Sequence, residues 1–128
     1  MGIDIYARWP AQTEAEKEAQ CTGFSIEHGH VGYLREAYHG EPYATRVLVP
    51  EAFDHETHPE GAPIQAATLR ERLPDTLATA TRRQQLVYKE GPDNNTTRIV
   101  LQSFSDFVEL CERKERETGE PCSIVASY

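Results

Sequence analysis

Cysteine is scarce in this chain, with 3 among 128 residues. Cys21, Cys111 and Cys122 stand far apart and no CxxC pair occurs. An odd number at such spacing excludes a disulfide framework and offers no four-ligand zinc site, so the thiols are expected to be buried or half-buried. Long apolar runs are missing as well: no stretch reaches the roughly 20 residues that a membrane helix needs, and no membrane association is expected. The opening MGIDIYARWP lacks the basic segment and apolar core of a secretory signal, and Tyr6 stands where a myristoylation signal has Ser or Thr. A cytoplasmic, unprocessed protein is therefore expected. Positive charge is the other shortage. With 13 Lys and Arg against 21 Asp and Glu the formal charge is −8, which leaves little potential to attract phosphates and argues against a nucleic-acid surface. No phosphate-binding glycine loop and no G-x-S-x-G nucleophile context is present, so neither a named reaction nor a cofactor follows.

What is present is enough for one fold. A chain of this length forms one domain over residues 1–128 and buries roughly two thirds of its unfolded surface. Ile3, Ile5, Ala7 and Trp9 alternate with Asp4, Tyr6 and Arg8, the period of two of a strand with one face on a core. Thr13 and Glu16 have capping-box spacing at the start of TEAEKEAQ, which reads as a short exposed helix or an acidic loop. Phe24, Ile26 and His28 fall on one side of a second short strand. Residues 33–39 read as a short docked helix, with Leu34 and Tyr38 on one face and Arg35 and His39 on another, stopped by Gly40 and Pro42. Thr45–Val49 is β-branched and reads as a buried strand.

Pro63 suits a first helical position, and Pro74 is expected to kink or break the helical pattern that runs on toward Gly91. Val100, Phe104, Phe107, Val108 and Cys111 form the clear apolar stripe of an amphipathic helix. Its tail offers Glu109 with Arg113 and Glu112 with Arg116 as i,i+4 pairs on a solvated face. CSIVASY closes the chain as an alternating strand. The pattern predicts an α+β fold: a small, mostly antiparallel sheet that includes the N- and C-terminal strands, covered on one face by two long helical segments.

Groups able to bind or react concentrate in residues 29–49, GHVGYLREAYHGEPYATRVLV. There Arg35 can grip a carboxylate or phosphate, Tyr33, Tyr38 and Tyr43 offer aromatic faces, and His39 titrates near neutral pH. Asp4 and Tyr6, pointing away from the core of the first strand with Arg8, would form a shallow polar sheet face beside Ser123 and Ser127. The plainer alternative is that these groups meet water or pair across strands. His28 and His30 form H-x-H, which on a continuous strand places both imidazoles on one side, a weak metal motif. Together with Glu36 it is similar to the first half of a cupin metal motif, but the spacing to the acid differs and the second half is absent.

The N-terminal MGIDIY, the central GYLREAY and the final VASY together resemble small proteins of bacteria and phages that begin with MGLDMY-like strands and carry a similar glycine-tyrosine-arginine motif. The resemblance implies a cytosolic protein of bacterial or phage origin whose function is unknown, and it brings no catalytic residue with it. The resulting expectation is a non-enzymatic accessory or regulatory binding protein that uses the surface from Tyr33 to His39 to hold a protein partner or a small anion. Two alternatives stand beside it: a small enzyme in which Arg35 anchors an anionic substrate and His39 moves a proton, and an H-x-H metal-binding protein.

Overall fold

The computed structural model describes residues 2–22 and 30–128. The first strand, β1 (Gly2–Arg8), buries Ile3, Ile5 and Ala7 completely while Asp4, Tyr6 and Arg8 stay half-exposed on the other face. It lies at the centre of an antiparallel four-stranded sheet with β2 (Tyr33–Ala37) on one side and β4 (Ser123–Ser127) on the other, and a two-residue β3 (Ala62–Pro63) extends the sheet beyond β4. The register sets Asp4 opposite Arg35 and Ser127, and Tyr6 opposite Tyr33 and Val125. Because side chains alternate along a strand, this register collects Ile3, Ile5, Leu34, Ile124 and Ala126 on one face.

Two long helices, α3 (Ala66–Tyr88) and α4 (Asn95–Thr118), pack against that face. Phe104, Phe107, Val108 and Cys111 of α4 and Leu69, Leu73 and Ala80 of α3 complete a single core. Each fully buried large side chain contributes about 1.5–3 kcal/mol over its exposed state. The fold is thus the α+β arrangement that the sequence predicts. Two short helices lie at its margins, α1 (Glu14–Thr22) and α2 (Ala44–Leu48), the latter followed by a 3-10 turn over Pro50–Phe53. In α1 both halves of the capping box form: Glu16 N–H donates to Thr13 Oγ1 at 3.1 Å and Thr13 N–H to Glu16 Oε1 at 2.9 Å.

Several local expectations fail, each for a tertiary reason. Residues 33–37 are a strand and not the start of a helix, since pairing with β1 satisfies their backbone while Leu34 and Glu36 turn inward. Thr45–Val49 is mainly helical, against its β-branched composition. The reason is Glu36, whose carboxylate accepts from Ala44 N–H at 2.8 Å, Thr45 N–H at 3.1 Å and the Thr45 hydroxyl at 2.5 Å, and so caps a helix from another element. Long-range contacts of this kind override intrinsic propensity.

Pro63 pairs as an edge residue of the sheet, where the missing N–H does no harm, and the helix starts only at Ala66. Pro74 does not break α3, because Leu69, Leu73, Thr76 and Ala80 are buried on both sides of it. Arg72 also fixes this turn by donating to both oxygens of Glu51, at 2.7 and 2.9 Å, and to Leu48 O at 3.1 Å. On α4 the expected i,i+4 pair of Glu112 with Arg116 is replaced by a bridge to Arg70 of α3, with Arg70 Nη2 2.5 Å from Glu112 Oε1. The strand expected at Phe24, Ile26 and His28 lies outside the described residues. Cys111 and Cys122 are buried and Cys21 is exposed; all three are free thiols.

Candidate functional site

Four of the residues singled out in the sequence meet on the face of the sheet that is turned away from the helices. Asp4 Oδ1 accepts from the Tyr33 hydroxyl at 2.5 Å and from Arg35 Nη1 at 2.7 Å. Arg35 reaches Asp4 directly across the ladder and Tyr33 reaches it diagonally, the two close cross-strand relations of an antiparallel pair. The Tyr6 and Tyr33 rings lie 5.2 Å apart between centroids, and the Arg8 guanidinium sits 5.2 Å from the Tyr6 ring. Burial and then the Asp4 charge push the Tyr6 phenol up from its ordinary value. Burial and the hydrogen bond to Asp4 do the same for Tyr33. Both phenols therefore stay protonated near neutral pH. The hydrogen bond to Asp4 in turn raises Arg35, so its positive charge is permanent.

Ser123 and Ser127 of β4 share this face, but the chain closes over the Ser123 end. Gly61 adopts φ 114°, and a Cβ there would fall 2.5 Å from Ser123 Oγ and 3.1 Å from Val125 Cγ2. Only a residue without a side chain fits. The accessible part of the face is accordingly the β1–β2 portion around Asp4, Tyr6, Tyr33 and Arg35.

Tyr38, His39 and Tyr43 belong to a second network, beyond the end of β2. His39 Nδ1 lies 3.1 Å from the Tyr88 hydroxyl and its ring stacks edgewise on Tyr88 at 5.6 Å, while Tyr38 meets Tyr43 edge to face at 6.0 Å. The centre of this network is Arg83, which no motif or spacing in the sequence singles out. Its guanidinium is buried, donates to the carbonyls of Ala37, Gly40 and Pro42, and lies 3.7 Å from the Glu36 carboxylate and 4.9 Å from the Tyr43 ring. These contacts hold the turn between β2 and α2 to α3. Arg35 and His39 are thereby separated: Arg35 lies in β2 and His39 beyond its end, four residues apart along an extended segment that rises about 3.3 Å per residue, instead of one helical turn apart.

A cavity of about 210 Å³ opens beneath β2 and is lined by Arg35, Glu36, Arg83, Tyr88 and Glu90 over an apolar floor that includes Val100 and Phe104. His39 is not part of its lining, and neither are Asp4, Tyr6 and Tyr33. The convergence of Arg35, His39 and a carboxylate in one concavity that an acid–base site requires is not formed.

Of the H-x-H pair, His28 lies outside the described residues. His30 is half-buried: its Nδ1 accepts from Gly32 N–H at 3.1 Å and its ring meets Phe107 edge to face at 6.1 Å. Burial lowers its pKa, with the Asp106 charge acting in the opposite direction. Among the described residues no group of three or more His, Cys, Asp or Glu is placed to hold a metal. His55, which follows the 3-10 turn, packs on Tyr128 at 5.2 Å and its Nε2 lies 3.1 Å from Ala126 O.

In comparisons with known proteins, no protein-family model, no curated protein and no solved structure matches the chain. Among the described residues no helix is long and apolar enough to cross a membrane.

Proposed function

We propose that this chain is a non-enzymatic binding protein, an accessory or regulatory module of the bacterial or phage cytoplasm, that grips a protein partner with the β1–β2 face of its sheet. The observation that carries this reading is the network in which Asp4 holds Tyr33 and Arg35 side by side, with the Tyr6 ring against Tyr33. Tyr and Arg dominate the energetics of protein interfaces when they are presented in fixed positions, and here a carboxylate and a cross-strand register fix them. Pre-ordering lowers the side-chain entropy lost on binding. The flat setting favours a macromolecular partner over a small anion, which needs a concave site. The local balance of charge supports a partner with an acidic contact, since Arg8 and Arg35 face a single Asp4 in an otherwise acidic molecule.

Photo-crosslinking in bacterial cells tests this. A benzophenone amino acid is placed at Tyr6, and in a second protein at Leu86, which is exposed on α3. A discrete adduct from position 6 that Arg35→Ala removes, with none from position 86, is the expected result. Adducts of equal yield from both positions, or an adduct from position 6 that survives Arg35→Ala, would remove the sheet face from consideration. A rise in melting temperature with phosphate or carboxylates that Arg35→Ala abolishes would replace the protein partner with an anion.

A further inference from the structure

A second cavity, of about 280 Å³, lies between the end of β1, α1 and the C-terminal half of α4, and its lining includes Trp9, Glu16, His30, Leu110, Arg113 and Lys114. None of these residues belongs to the sheet-face network. We propose that this cavity binds a small aromatic carboxylate, with the ring between the Trp9 indole and Leu110 and the carboxylate on Arg113.

The charges of the lining decide the sign of the ligand. Lys114 lies 3.5 Å from Glu16 and 3.3 Å from Glu117, and its ammonium sits 5.0 Å from the Trp9 ring centroid. Glu16 and Lys114 thus offset each other and hold Trp9 in place. Arg113 has no such partner. The acid four residues before it, Glu109, does not take it, and it forms no hydrogen bond or ion pair among the described residues. Arg113 is exposed at the cavity, and among the described residues no carboxylate is paired with its guanidinium. Its planar fork matches a carboxylate with two parallel hydrogen bonds.

His30 adds a neutral donor. Because its Nδ1 accepts from Gly32 N–H, the neutral ring carries its proton on Nε2. Trp9 and Leu110 supply the apolar wall. The volume falls just under the roughly 300–1,000 Å³ of drug-sized sites, which restricts the ligand to one or two rings.

Trp9 is the only tryptophan of the chain, so all tryptophan emission comes from the wall of this cavity; Trp9 also borders neighbouring hollows that lack Arg113, and the Arg113 variant tells them apart. Benzoate is titrated into the full-length protein with tryptophan emission and calorimetry as readouts, beside cyclohexanecarboxylate, which has the charge without the aromatic ring, and benzamide, which has the ring without the charge. A saturable change with benzoate at a dissociation constant of about 1 mM or below is expected. Arg113→Ala should weaken it about tenfold, the loss of one charge-assisted contact, with the melting temperature unchanged. Arg116→Ala, a neighbouring cation outside the lining, should leave it as it was. Benzoate without saturation, equal binding of cyclohexanecarboxylate or benzamide, or unchanged binding in Arg113→Ala would each overturn the assignment.

Discussion

Among the described residues, Glu36 and Arg83 are the two charges that the fold takes out of water, with side chains 6% and 4% exposed. A buried ion pair adds little beyond what it costs to desolvate, but removing one partner strands the other. Here the stranding is aggravated by the neighbours, because the Glu36 carboxylate also accepts three hydrogen bonds at the start of α2. Glu36→Ala leaves the Arg83 charge uncompensated and two backbone N–H groups unmet, and should lower the unfolding free energy by about 3–5 kcal/mol. Glu36→Gln keeps an acceptor for Thr45 and should cost clearly less. Urea denaturation separates the two variants. A loss below about 1 kcal/mol in Glu36→Ala would show that the pair is solvated in solution. The same argument places Arg83 and Tyr88 in the framework that holds His39, rather than in a reaction.

Among the elements, α1 shows how a helix with almost no apolar surface stays attached. It contributes a single buried residue, Gln20. The Gln20 amide donates to Ala7 O at 2.7 Å and to Gly32 O at 3.2 Å, and its oxygen accepts from Arg8 Nη1 at 2.6 Å. Gln20→Leu removes these contacts and takes the side-chain donor from the Ala7 carbonyl, while Gly32 O keeps the Ala7 N–H at 2.8 Å, a cost of about 2 kcal/mol, whereas Thr13→Ala removes the exposed cap for about 1 kcal/mol. Hydrogen exchange of the α1 amides should accelerate more in Gln20→Leu than in Thr13→Ala, and the reverse order would assign the docking of α1 to its cap. The cap was legible in the sequence because its two residues are local. Gln20 was not, since one polar residue in an acidic stretch carries no periodic signal. The same division holds elsewhere. The alternation in β1 and β4 and the stripe on α4 were readable because burial imposes a period on neighbouring residues. The helix of residues 44–48 was hidden because its cap comes from Glu36 on β2. The strand of residues 33–37 was hidden because Glu36, an inward residue, is charged. Asp4 and Tyr6 were read with Arg8 as one sheet face, and Tyr33 and Arg35 as part of a separate short helix, so neither their meeting across β1 and β2 nor the division between Arg35 and His39 could be seen while that segment was read as a helix.

For the whole molecule, the response to acid should fall into two stages, because the shifted groups divide into two ranges. Burial holds His30 below its ordinary value of 6.5. The unfolded chain therefore takes up a proton at this residue before the folded one does, and stability declines as pH falls from about 6.5 through the folded value. The carboxylates act later. Glu51 is lowered by the hydrogen bonds from Arg72, and Glu112 by those from Arg70. Glu16 is lowered because Thr13 and Lys114 outweigh its burial. Their contribution is complete above the ordinary value of 4.5 and is lost as pH falls through the depressed values. The contrast with His30→Asn isolates the buried group, because the Asn side-chain oxygen can replace Nδ1 as acceptor for Gly32 N–H without titrating. Urea denaturation at about pH 7.5, 5.5 and 3.5 should show the wild type losing stability relative to His30→Asn between the first two values, and both losing it together toward the third. If the two proteins run parallel from 7.5 to 5.5, His30 is not held neutral by burial. The neutral donor assigned to it beside Arg113 would then be a charged one, and binding of benzoate would strengthen as pH falls through that range.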